Sequence, residues 1–396
     1  MDNVVVVGAG LAGLQTVVAL REQGYRGELT LVGAETAAPY DRPPLSKAVL
    51  AGTMDDTTLD ADWSTLEVTT HLGRRATGLG DDRVLQTDGG PVRFDALVLA
   101  TGAAPVRLPG DASAVTLRTR EDAASLQARL QPGARLVIVG AGWIGAEVAT
   151  AAVRAGTHVT VVEGLAAPLA SALPAEVGLR MLPWWSGADV RLGAVVDAVE
   201  PGAVHLTSGE RLAADVVLVA VGARPETSWL AGSGVVLTSR GAVAVDGTLR
   251  TTRPDVYAAG DCAAWESSRY GTRMHVEHWD NALHAPAVAA ANVLGDDRRY
   301  DPVPYFWSEQ WGRMVQYAGH HPAGDRVVWR EGDESWGAFW LAGDQLVAAL
   351  TVDRPRDLVQ ARRLMQADQA VDAALLADPG APVKSAVLDG HGRLAG

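Results

Sequence analysis

Residues Val4–Gly13 read VVVVGAGLAG, a run of four valines followed by three glycines in the spacing GxGxxG. An unbroken apolar run of this kind is typical of a strand that is buried on both faces. In such a turn the first glycine permits the tight bend, the second lets a pyrophosphate approach the backbone, and the third lets helix and strand pack closely. Apolar residues at helical spacing continue to Gly24. The stretch therefore predicts the strand, turn and helix of a dinucleotide-binding fold.

The same pattern recurs far downstream in the chain. Arg135–Val139 is a second apolar run, Gly140–Gly145 reads GAGWIG, and a helix is predicted for Ala146–Ala155. An acid follows the second strand of each copy, Glu35 in the first and Glu163 in the second, close to the usual offset of ~20 residues. Two copies with their acids predict an α/β protein with two Rossmann-like domains, whereas a single glycine-rich loop would be weak evidence.

The bulk composition excludes several classes of protein. The chain has 396 residues and a formal net charge of −13, which indicates several domains and argues against nucleic acid or an anionic membrane as the main partner. No run is long and apolar enough to span a bilayer, and no basic stretch indicates a signal peptide. Cys262 is the single cysteine, so this chain alone forms neither a disulfide nor a paired-cysteine redox or zinc site. We expect a cytoplasmic protein with no metal site.

The sequence pattern changes after Pro304. Arg326–Arg330, Trp336–Leu341 and Gln345–Val352 alternate apolar and polar residues, as strands do, and a helix is predicted for Asp357–Gln366. This part is predicted to be a small α+β domain. The predicted domains are a discontinuous first unit over residues 1–111 and 243–303, a second unit over residues 112–242, and a C-terminal unit over residues 304–396.

Further motifs lie between and after the two glycine turns. They are YDRPPLSK (Tyr40–Lys47), LVLATG (Leu97–Gly102), LRTREDA (Leu117–Ala123), AAGDC (Ala258–Cys262), VEHWDNAL (Val276–Leu283) and VPYFWSEQW (Val303–Trp311). With the two folds they resemble the glutathione reductase-like, FAD-dependent pyridine nucleotide-disulfide oxidoreductases, and among these the oxygenase-coupled NADH-dependent ferredoxin reductases. The resemblance covers essentially the whole chain. Thiol-using members carry redox cysteines where this chain has YDRPPLSK, so no sulfur relay is expected.

The resemblance implies FAD in the first fold and NADH in the second. The positions that match the FAD site are Gly8, Gly10, Leu11, Ala12, Gly13, Glu35, Arg42, Lys47, Ala76, Ala100, Thr101, Gly102, Arg118, Gly260, Asp261, Glu277, His278 and Trp279. Those that match the NADH site are Gly140, Gly142, Trp143, Ile144, Gly145, Glu163 and Gly222. A carboxylate at Glu163 accepts hydrogen bonds from a free 2′-hydroxyl and repels a 2′-phosphate, so NADH is predicted over NADPH. Ala167 replaces a frequent arginine of the adenosine site, and Arg180 is a candidate substitute.

The resemblance also implies three residues at the reaction centre. Lys47 would lie against the flavin, Glu147 would form an ion pair with it, and Trp307 would stack on or wall off the site. The alternatives are an exposed loop lysine, a solvated helix acid and a core tryptophan. Lys47 and Lys384 are the chain's two lysines. Since arginine does not replace lysine as a compact point charge, this rarity favours a specific role for Lys47.

The function that the resemblance implies is that of an NADH:ferredoxin reductase. Electrons would pass from NADH through FAD to an iron–sulfur ferredoxin that supplies a cytochrome P450 or a Rieske oxygenase. Two other functions stay open: a rubredoxin or nitrite reductase component, and an apoptosis-inducing-factor-like flavoprotein with an interaction role. The protein is expected to be a monomer or a homodimer. Candidate arginines for docking an acidic ferredoxin are Arg313, Arg330, Arg354, Arg356, Arg362 and Arg363.

Overall fold

The first segment of the chain forms most of a parallel sheet and a small antiparallel sheet beside it. The computed structural model describes residues 2–332, 334–389 and 394. The elements of this segment are β1 (Asn3–Val7), α1 (Leu11–Glu22), β2 (Glu28–Gly33), α2 (Trp63–Leu66), β3 (Thr69–Leu72), β4 (Ala76–Leu79), β5 (Val84–Thr87), β6 (Val92–Arg93), β7 (Ala96–Leu99) and β8 (Ala103–Pro105). Strand β1 pairs in parallel with β2 and β7. Its valines are fully buried because the sheet is covered on both faces.

The second segment repeats this arrangement around β9. Its elements are α3 (Arg120–Gln127), β9 (Arg135–Val139), α4 (Trp143–Arg154), β10 (His158–Glu163), α5 (Ala175–Met181), β11 (Asp189–Leu192), β12 (Val196–Glu200), β13 (Ala203–Leu206), β14 (Arg211–Ala213), β15 (Val216–Val219) and β16 (Ala223–Pro225). The parallel sheet has the order β11-β10-β9-β15, and β12-β13-β14 form an antiparallel sheet. Strand β16 pairs with β8, which joins the two folds where the chain crosses between them.

The third segment returns to the first fold and completes it. Its elements are β17 (Val243–Val245), β18 (Val256–Ala258), β19 (Ala263–Ser267), β20 (Thr272–Met274) and α6 (Trp279–Val293). Strand β18 adds to the edge of the first sheet, which then has the order β18-β7-β1-β2-β3. Because β18 pairs in parallel with β7, its carboxyl end lies beside the carboxyl ends of β7 and β1.

The C-terminal segment is an antiparallel sheet with helices on it. Its elements are β21 (Tyr305–Gln310), β22 (Arg313–Gly319), β23 (Arg326–Arg330), β24 (Trp336–Ala342), β25 (Gln345–Val352), α7 (Pro355–Gln366) and α8 (Ala373–Ala377). The sheet order is β21-β22-β25-β24-β23. The predicted fold class, with two Rossmann-like units and a small α+β unit, is therefore confirmed.

Packing bears on the proposed domain limits. Leu230 and Val235 lie in the same hydrophobic cluster as Val7 and Val243 of the first unit. Residues that follow β16 therefore already belong to the first core. We propose to place the return crossing near β16 rather than at residue 242, while the other limits stay predictions.

Three details of the predicted elements differ in the structure. Helix α4 begins at Trp143 rather than at Ala146, and α6 begins at Trp279 rather than near Asn281. In both cases the residue just before the helix, Gly142 or His278, is its N-cap. The hairpin β21–β22 was not predicted, because VPYFWSEQW lacks regular alternation. Among the described residues, no helix is long and apolar enough to cross a membrane.

Candidate active site

One continuous cleft joins the two dinucleotide folds. Its volume is about 1410 Å³, larger than the roughly 300–1,000 Å³ that one small ligand usually needs. Both glycine turns and the carboxyl ends of the parallel strands line it. The predicted site residues that line it are Gly8, Gly10, Leu11, Ala12, Glu35, Arg42, Lys47, Ala76, Ala100, Thr101, Gly102, Arg118, Gly140, Gly142, Trp143, Ile144, Glu147, Glu163, Gly222, Asp261, Glu277, His278, Trp279 and Trp307.

Three predicted site glycines do not line the cleft. Gly13 and Gly145 each pack under their own turn, and Gly260, with a φ of +74°, packs against Ala12 of α1. An added Cβ at Gly260 would lie 2.8 Å from the Cβ of Ala12. These three glycines therefore support the cradles by close backbone packing, and their assignment to the cofactor sites stays a prediction.

The first glycine turn, which we call the first cradle (residues 8–13 with the start of α1), has the geometry that a pyrophosphate needs. A Cβ on Gly8 would lie 2.1 Å from the carbonyl oxygen of Ala100, and one on Gly13 would lie 1.8 Å from that of Gly8. A Cβ on Gly10 would have no heavy atom within 4 Å. Helix α1 starts there without a side-chain cap. Its free N–H groups therefore suit a phosphate at the open position of Gly10.

The second cradle (residues 140–145 with the start of α4) repeats this geometry. A Cβ on Gly140 would lie 2.5 Å from the carbonyl oxygen of Ala220, and one on Gly145 would lie 2.1 Å from that of Gly140. Gly142 is open, with its nearest neighbour at 4.0 Å. Helix α4 also begins without a side-chain cap or an acid in its first turn. The residues of both cradles thus fit a dinucleotide.

The acid of the first cradle is held by ionic and phenolic partners. Glu35 lies 2.6 Å from the Arg42 guanidinium and accepts a hydrogen bond of 2.5 Å from the Tyr40 hydroxyl. Burial acts to raise the pKa of Glu35, but Arg42 and Tyr40 outweigh it and hold this pKa below its ordinary value. Tyr40 opens the YDRPPLSK motif, but nothing in the motif indicates that its hydroxyl reaches Glu35.

The acid of the second cradle is held by backbone donors instead. The N–H groups of Ala141 and Leu165 each donate to Glu163 at 2.8 Å. The carboxylate thus fixes the glycine turn to the loop after β10. Between residues 139 and 229 the described residues that line the cleft include no lysine or arginine. This described stretch of the lining therefore offers no cation to a 2′-phosphate.

Lys47 and Glu147 meet where the two cradles join. The Lys47 ammonium lies 2.9 Å from Glu147 Oε2, and the two side chains are 15% and 3% exposed. The predicted ion pair is therefore present in the structure, and neither residue is solvated on a surface. Lys47 also donates to the carbonyl oxygen of Pro43 at 3.3 Å, so the proline turn restricts its position.

Two tryptophans form a wall at the same end of the cleft. Trp307 lies edge-on to Trp279, with ring centroids 5.8 Å apart, and is stacked with Tyr305 at 6.1 Å. The indole of Trp279 donates to Asp41 at 2.8 Å. Trp143 is packed edge-on to Phe306 at 4.7 Å. Trp307 lines the cleft and is partly exposed, which is not the position of a core tryptophan.

The start of α6 adds a cluster of ionisable groups to the first cradle. Arg118 lies 3.2 Å from Asp261, and His275 contacts the carbonyl oxygen of Asp261 at 2.8 Å. Burial, with the negative charge of Asp261, raises the pKa of Glu277. Burial lowers the pKa of His278 to about 4, and His275 adds to this effect. His278 is thus neutral at physiological pH, with its buried Nδ1 unpartnered.

Cys262 does not have the environment of a reactive thiol. It is fully buried, and its thiol points to the carbonyl oxygens of Leu99 and Ala259. Burial raises the pKa of Cys262 to about 11, whereas reactive thiols have lowered values. The structure therefore supports a packing role for Cys262.

Several predicted arginines have partners within the chain. Arg180 pairs with Glu331 and lies over the rings of Trp329 and Trp336, so it does not line the cleft or replace an arginine at Ala167. Four of the six arginines proposed for ferredoxin docking are engaged within the chain: Arg313 with Asp353, Arg330 and Arg354 with Asp357, and Arg362 with Asp280. Apart from Arg354 and Asp357, which are three residues apart, these partners are distant in the sequence and have no local signature.

Comparisons with known proteins agree with this geometry. The family model of the pyridine nucleotide-disulphide oxidoreductases matches residues 2–285, and that of the reductase C-terminal domains matches residues 305–387. Putidaredoxin reductase of Pseudomonas putida is 33% identical over 419 residues, which cover 100% of this chain and 99% of the relative. The ferredoxin reductase component of chlorobenzene dioxygenase from Cupriavidus sp. (strain PS12) is 38% identical over 395 residues, 95% of each chain.

A solved structure has the same fold over nearly the whole chain. The crystal structure of Fdr9 aligns with a TM-score of 0.93 at 48% identity, covering 97% of this chain and 99% of that chain. The chain therefore belongs to the pyridine nucleotide-disulphide oxidoreductases. Within them it belongs to the family of oxygenase-coupled ferredoxin reductases, as the sequence motifs predicted.

Proposed function

We propose that this protein is an FAD-containing NADH:ferredoxin reductase that passes electrons to an iron–sulfur ferredoxin of a cytochrome P450 or Rieske oxygenase system. The observation that carries the proposal is one cleft in which two dinucleotide cradles meet at the Lys47–Glu147 pair. The described residues that line this cleft include no cysteine. The names of the relatives support a ferredoxin as acceptor rather than an interaction role.

Several residues of the cleft would hold the two dinucleotides. Bound FAD would supply the redox chemistry, since a flavin takes up two electrons from a nicotinamide and releases them singly. Gly10 and the start of α1 would hold its pyrophosphate, and Glu35 would accept hydrogen bonds from the adenosine ribose. Gly142 and Glu163 would hold NADH in the same way in the second cradle. The carboxylate of Glu163, together with a described cleft lining between residues 139 and 229 that has no lysine or arginine, favours NADH over NADPH.

Lys47 provides a fixed positive charge between the two cradles. An ammonium group in a protected site stabilises negative charge that develops on a neighbouring group. Glu147 orients the ammonium by their ion pair of 2.9 Å. Trp279 and Trp307 close the same end of the cleft and exclude water from it, which strengthens the effect of the charge.

The surface that meets the ferredoxin is proposed to include the outer face of α7. Of the six candidate arginines, Arg356 and Arg363 are exposed and lie on that face with the exposed Val359 between them. Positive charge steers an acidic partner, and salt screens it. We therefore expect ferredoxin reduction to slow with added salt and in Arg356→Glu/Arg363→Glu. A rate that changes in neither condition would contradict this surface.

The main test measures electron transfer from NADH to defined acceptors. The purified protein is expected to be yellow, to be reduced faster by NADH than by NADPH, and to reduce cytochrome c much faster when an iron–sulfur ferredoxin is added.

A matched pair of variants at the two lysines tests the role of Lys47. Lys47→Ala is expected to slow reduction by NADH roughly a hundredfold, whereas the exposed Lys384→Ala is expected to have no effect.

Two outcomes would contradict the proposed function. A colourless protein that does not take up FAD would exclude the flavoprotein. Cytochrome c reduction that is indifferent to every ferredoxin tried would exclude the acceptor, and reduction of a rubredoxin or nitrite reductase partner would then identify the alternative.

We also propose that the protein works in the cytoplasm as a monomer or a homodimer. Its single buried cysteine requires no oxidising compartment. Size-exclusion chromatography with light scattering distinguishes monomer from dimer, and cell fractionation tests the location. A larger assembly, or recovery outside the cytoplasm, would contradict the proposal.

A further inference from the structure

Glu147 is a carboxylate that the chain buries at a contact between its three units. The residue is 4% exposed. Its Oε2 accepts a hydrogen bond from the Ser46 hydroxyl and lies 2.9 Å from the Lys47 ammonium. Its Oε1 accepts a hydrogen bond of 2.6 Å from the Ser308 hydroxyl. Both carboxylate oxygens are therefore occupied by donors.

The donors come from outside the helix that carries Glu147. Ser46 ends the short 3₁₀ helix Pro43–Ser46 of the first unit, whereas Ser308 lies on β21 of the C-terminal unit. Ser46 and Ser308 are 3% and 0% exposed. The amide of Gln310 lies 3.4 Å from the Ser308 hydroxyl and donates to it. Such a donor leaves the hydroxyl proton of Ser308 directed at Glu147.

One ammonium group does not satisfy a buried carboxylate alone. A carboxylate has about four acceptor sites on two oxygens, and a buried ion pair is stable only when further hydrogen bonds occupy the remaining sites. Without the serines, Glu147 Oε1 would lack a donor. The carboxylate would then rotate or draw the Lys47 ammonium toward both of its oxygens, away from the cleft.

We propose that Ser46 and Ser308 are positioning residues that hold Glu147 in one orientation and thereby hold the Lys47 ammonium at the junction of the cradles. The inference rests on the proposed function, because it assigns to the two serines a part in reduction by NADH. Neither serine needs to touch a cofactor for this role. Each acts on Glu147, and Glu147 acts on Lys47.

Another buried serine, Ser267, provides the matched control. Ser267 is 5% exposed and donates a hydrogen bond of 2.5 Å to the carboxylate of Asp301. It does not line the cleft. Ser267→Ala therefore removes a buried hydroxyl–carboxylate hydrogen bond of the same kind without affecting Glu147.

The test compares Ser46→Ala, Ser308→Ala, Ser308→Thr and Ser267→Ala in the FAD-loaded protein. The midpoint potential of the flavin is measured by titration against a reference dye. Stopped-flow reduction at several NADH concentrations gives the limiting rate and the dissociation constant of NADH separately. Thermal unfolding reports the stability of each variant.

We expect the alanine variants at Ser46 and Ser308 to change the reaction centre and not NADH binding. The limiting rate should fall roughly tenfold, the dissociation constant of NADH should stay unchanged, and the flavin potential should become more negative. Ser308→Thr keeps the hydroxyl and should restore the potential and the rate. Ser267→Ala should lower the melting temperature alone.

The inference is overturned if Ser46→Ala or Ser308→Ala behaves as Ser267→Ala does, with lower stability and an unchanged potential and limiting rate. That result would leave the proposed function intact. Failure of the proposed function is recognised separately, because the unsubstituted protein would then not be reduced by NADH. If Ser308→Ala does not fold, Ser46→Ala still tests the inference, because Ser46 is the other hydroxyl donor to Glu147.

Discussion

The two cradles share a backbone geometry, whereas the residues around them differ in charge. In each cradle a Cβ added to the first or third glycine would clash with a carbonyl oxygen, whereas a Cβ added to the second glycine would meet no close neighbour. The first acid, Glu35, is engaged by Arg42 and Tyr40. The second acid, Glu163, is engaged by two backbone N–H groups. One scaffold is thus adapted to two ligands by the residues that flank it.

The lining of the cleft shows the same difference. The cleft is lined by the first-unit cations Arg42, Lys47, Arg74 and Arg75, and Arg118 pairs with Asp261 of the same unit. The second cradle is surrounded by exposed apolar side chains, namely Ile144, Leu165, Val195 and Val221. Exposed apolar side chains in a cleft are typical of a ligand site. The difference suits an anionic cofactor that stays bound in the first cradle and a nucleotide that exchanges in the second.

The largest expected effect comes from the third glycine of each cradle. An added Cβ would lie 1.8 Å from Gly8 O in Gly13→Ala and 2.1 Å from Gly140 O in Gly145→Ala, so each turn must distort. We expect Gly13→Ala to lose FAD. Gly145→Ala should remain yellow but be reduced by NADH at least roughly a hundredfold more slowly. The flavin-to-protein absorbance ratio and stopped-flow reduction measure these effects.

The control for these variants is Gly78→Ala, whose added Cβ would meet its nearest heavy atom at 3.7 Å. It should keep FAD and its reduction rate. If Gly145→Ala loses FAD, the two cradles do not hold their ligands independently. If Gly13→Ala retains FAD, the added Cβ does not disrupt the first cradle as expected.

The next largest expected effect is a loss of stability at low pH, which is caused by His278 beside the first cradle. Burial lowers the pKa of His278 to about 4 from the ordinary value of about 6.5. The unfolded chain therefore takes up a proton before the folded protein does as pH falls. Stability is fully present above pH 6.5 and is lost between pH 6.5 and pH 4, by up to about 3 kcal/mol.

This prediction is measured by denaturant unfolding at several pH values in the unsubstituted protein and in His278→Phe. The variant should lose less stability than the unsubstituted protein as the pH falls. His158→Phe removes an exposed histidine and should leave the pH dependence unchanged. Equal pH dependence in all three proteins would show that His278 is not held neutral by the fold.

The smallest expected effects come from two substitutions at the acids of the cradles. One removes the partner of the first acid, and the other removes the second acid itself. Arg42→Ala removes the ionic partner of Glu35 and should weaken FAD binding roughly tenfold, with the KM for NADH unchanged. Glu163→Ala should raise the KM for NADH roughly tenfold and reduce the preference over NADPH, with FAD retained. Fluorescence of released FAD and steady-state kinetics with both nucleotides measure these changes.

Arg93→Ala and Glu176→Ala are the controls, since both residues are exposed. Neither should change FAD retention or the KM. If Arg42→Ala and Glu163→Ala each weaken the binding of FAD and of NADH equally, the charge difference between the cradles does not decide which ligand binds where.

Local patterns in the sequence predicted the two folds, and the family resemblance supplied most of the predicted positions that line the cleft. An apolar run, three glycines and a delayed acid act within one short segment, because strand, turn and helix N-terminus are neighbours along the chain. The same holds for the alternating strands of the C-terminal unit. The pairing of Lys47 with Glu147 was predicted from family resemblance, and the structure shows both side chains in contact.

Tertiary structure alone decided which donors and acceptors meet across the units. Ser46 and Ser308 reach Glu147 from segments that are 101 and 161 residues away. Three of the candidate docking arginines, Arg313, Arg330 and Arg362, find acids in distant segments. Such partners carry no local pattern, since any serine or arginine could occupy those positions until the fold brings them together. Burial decided the state of Cys262 and His278 in the same way, because a pKa depends on surroundings that only the packed chain provides.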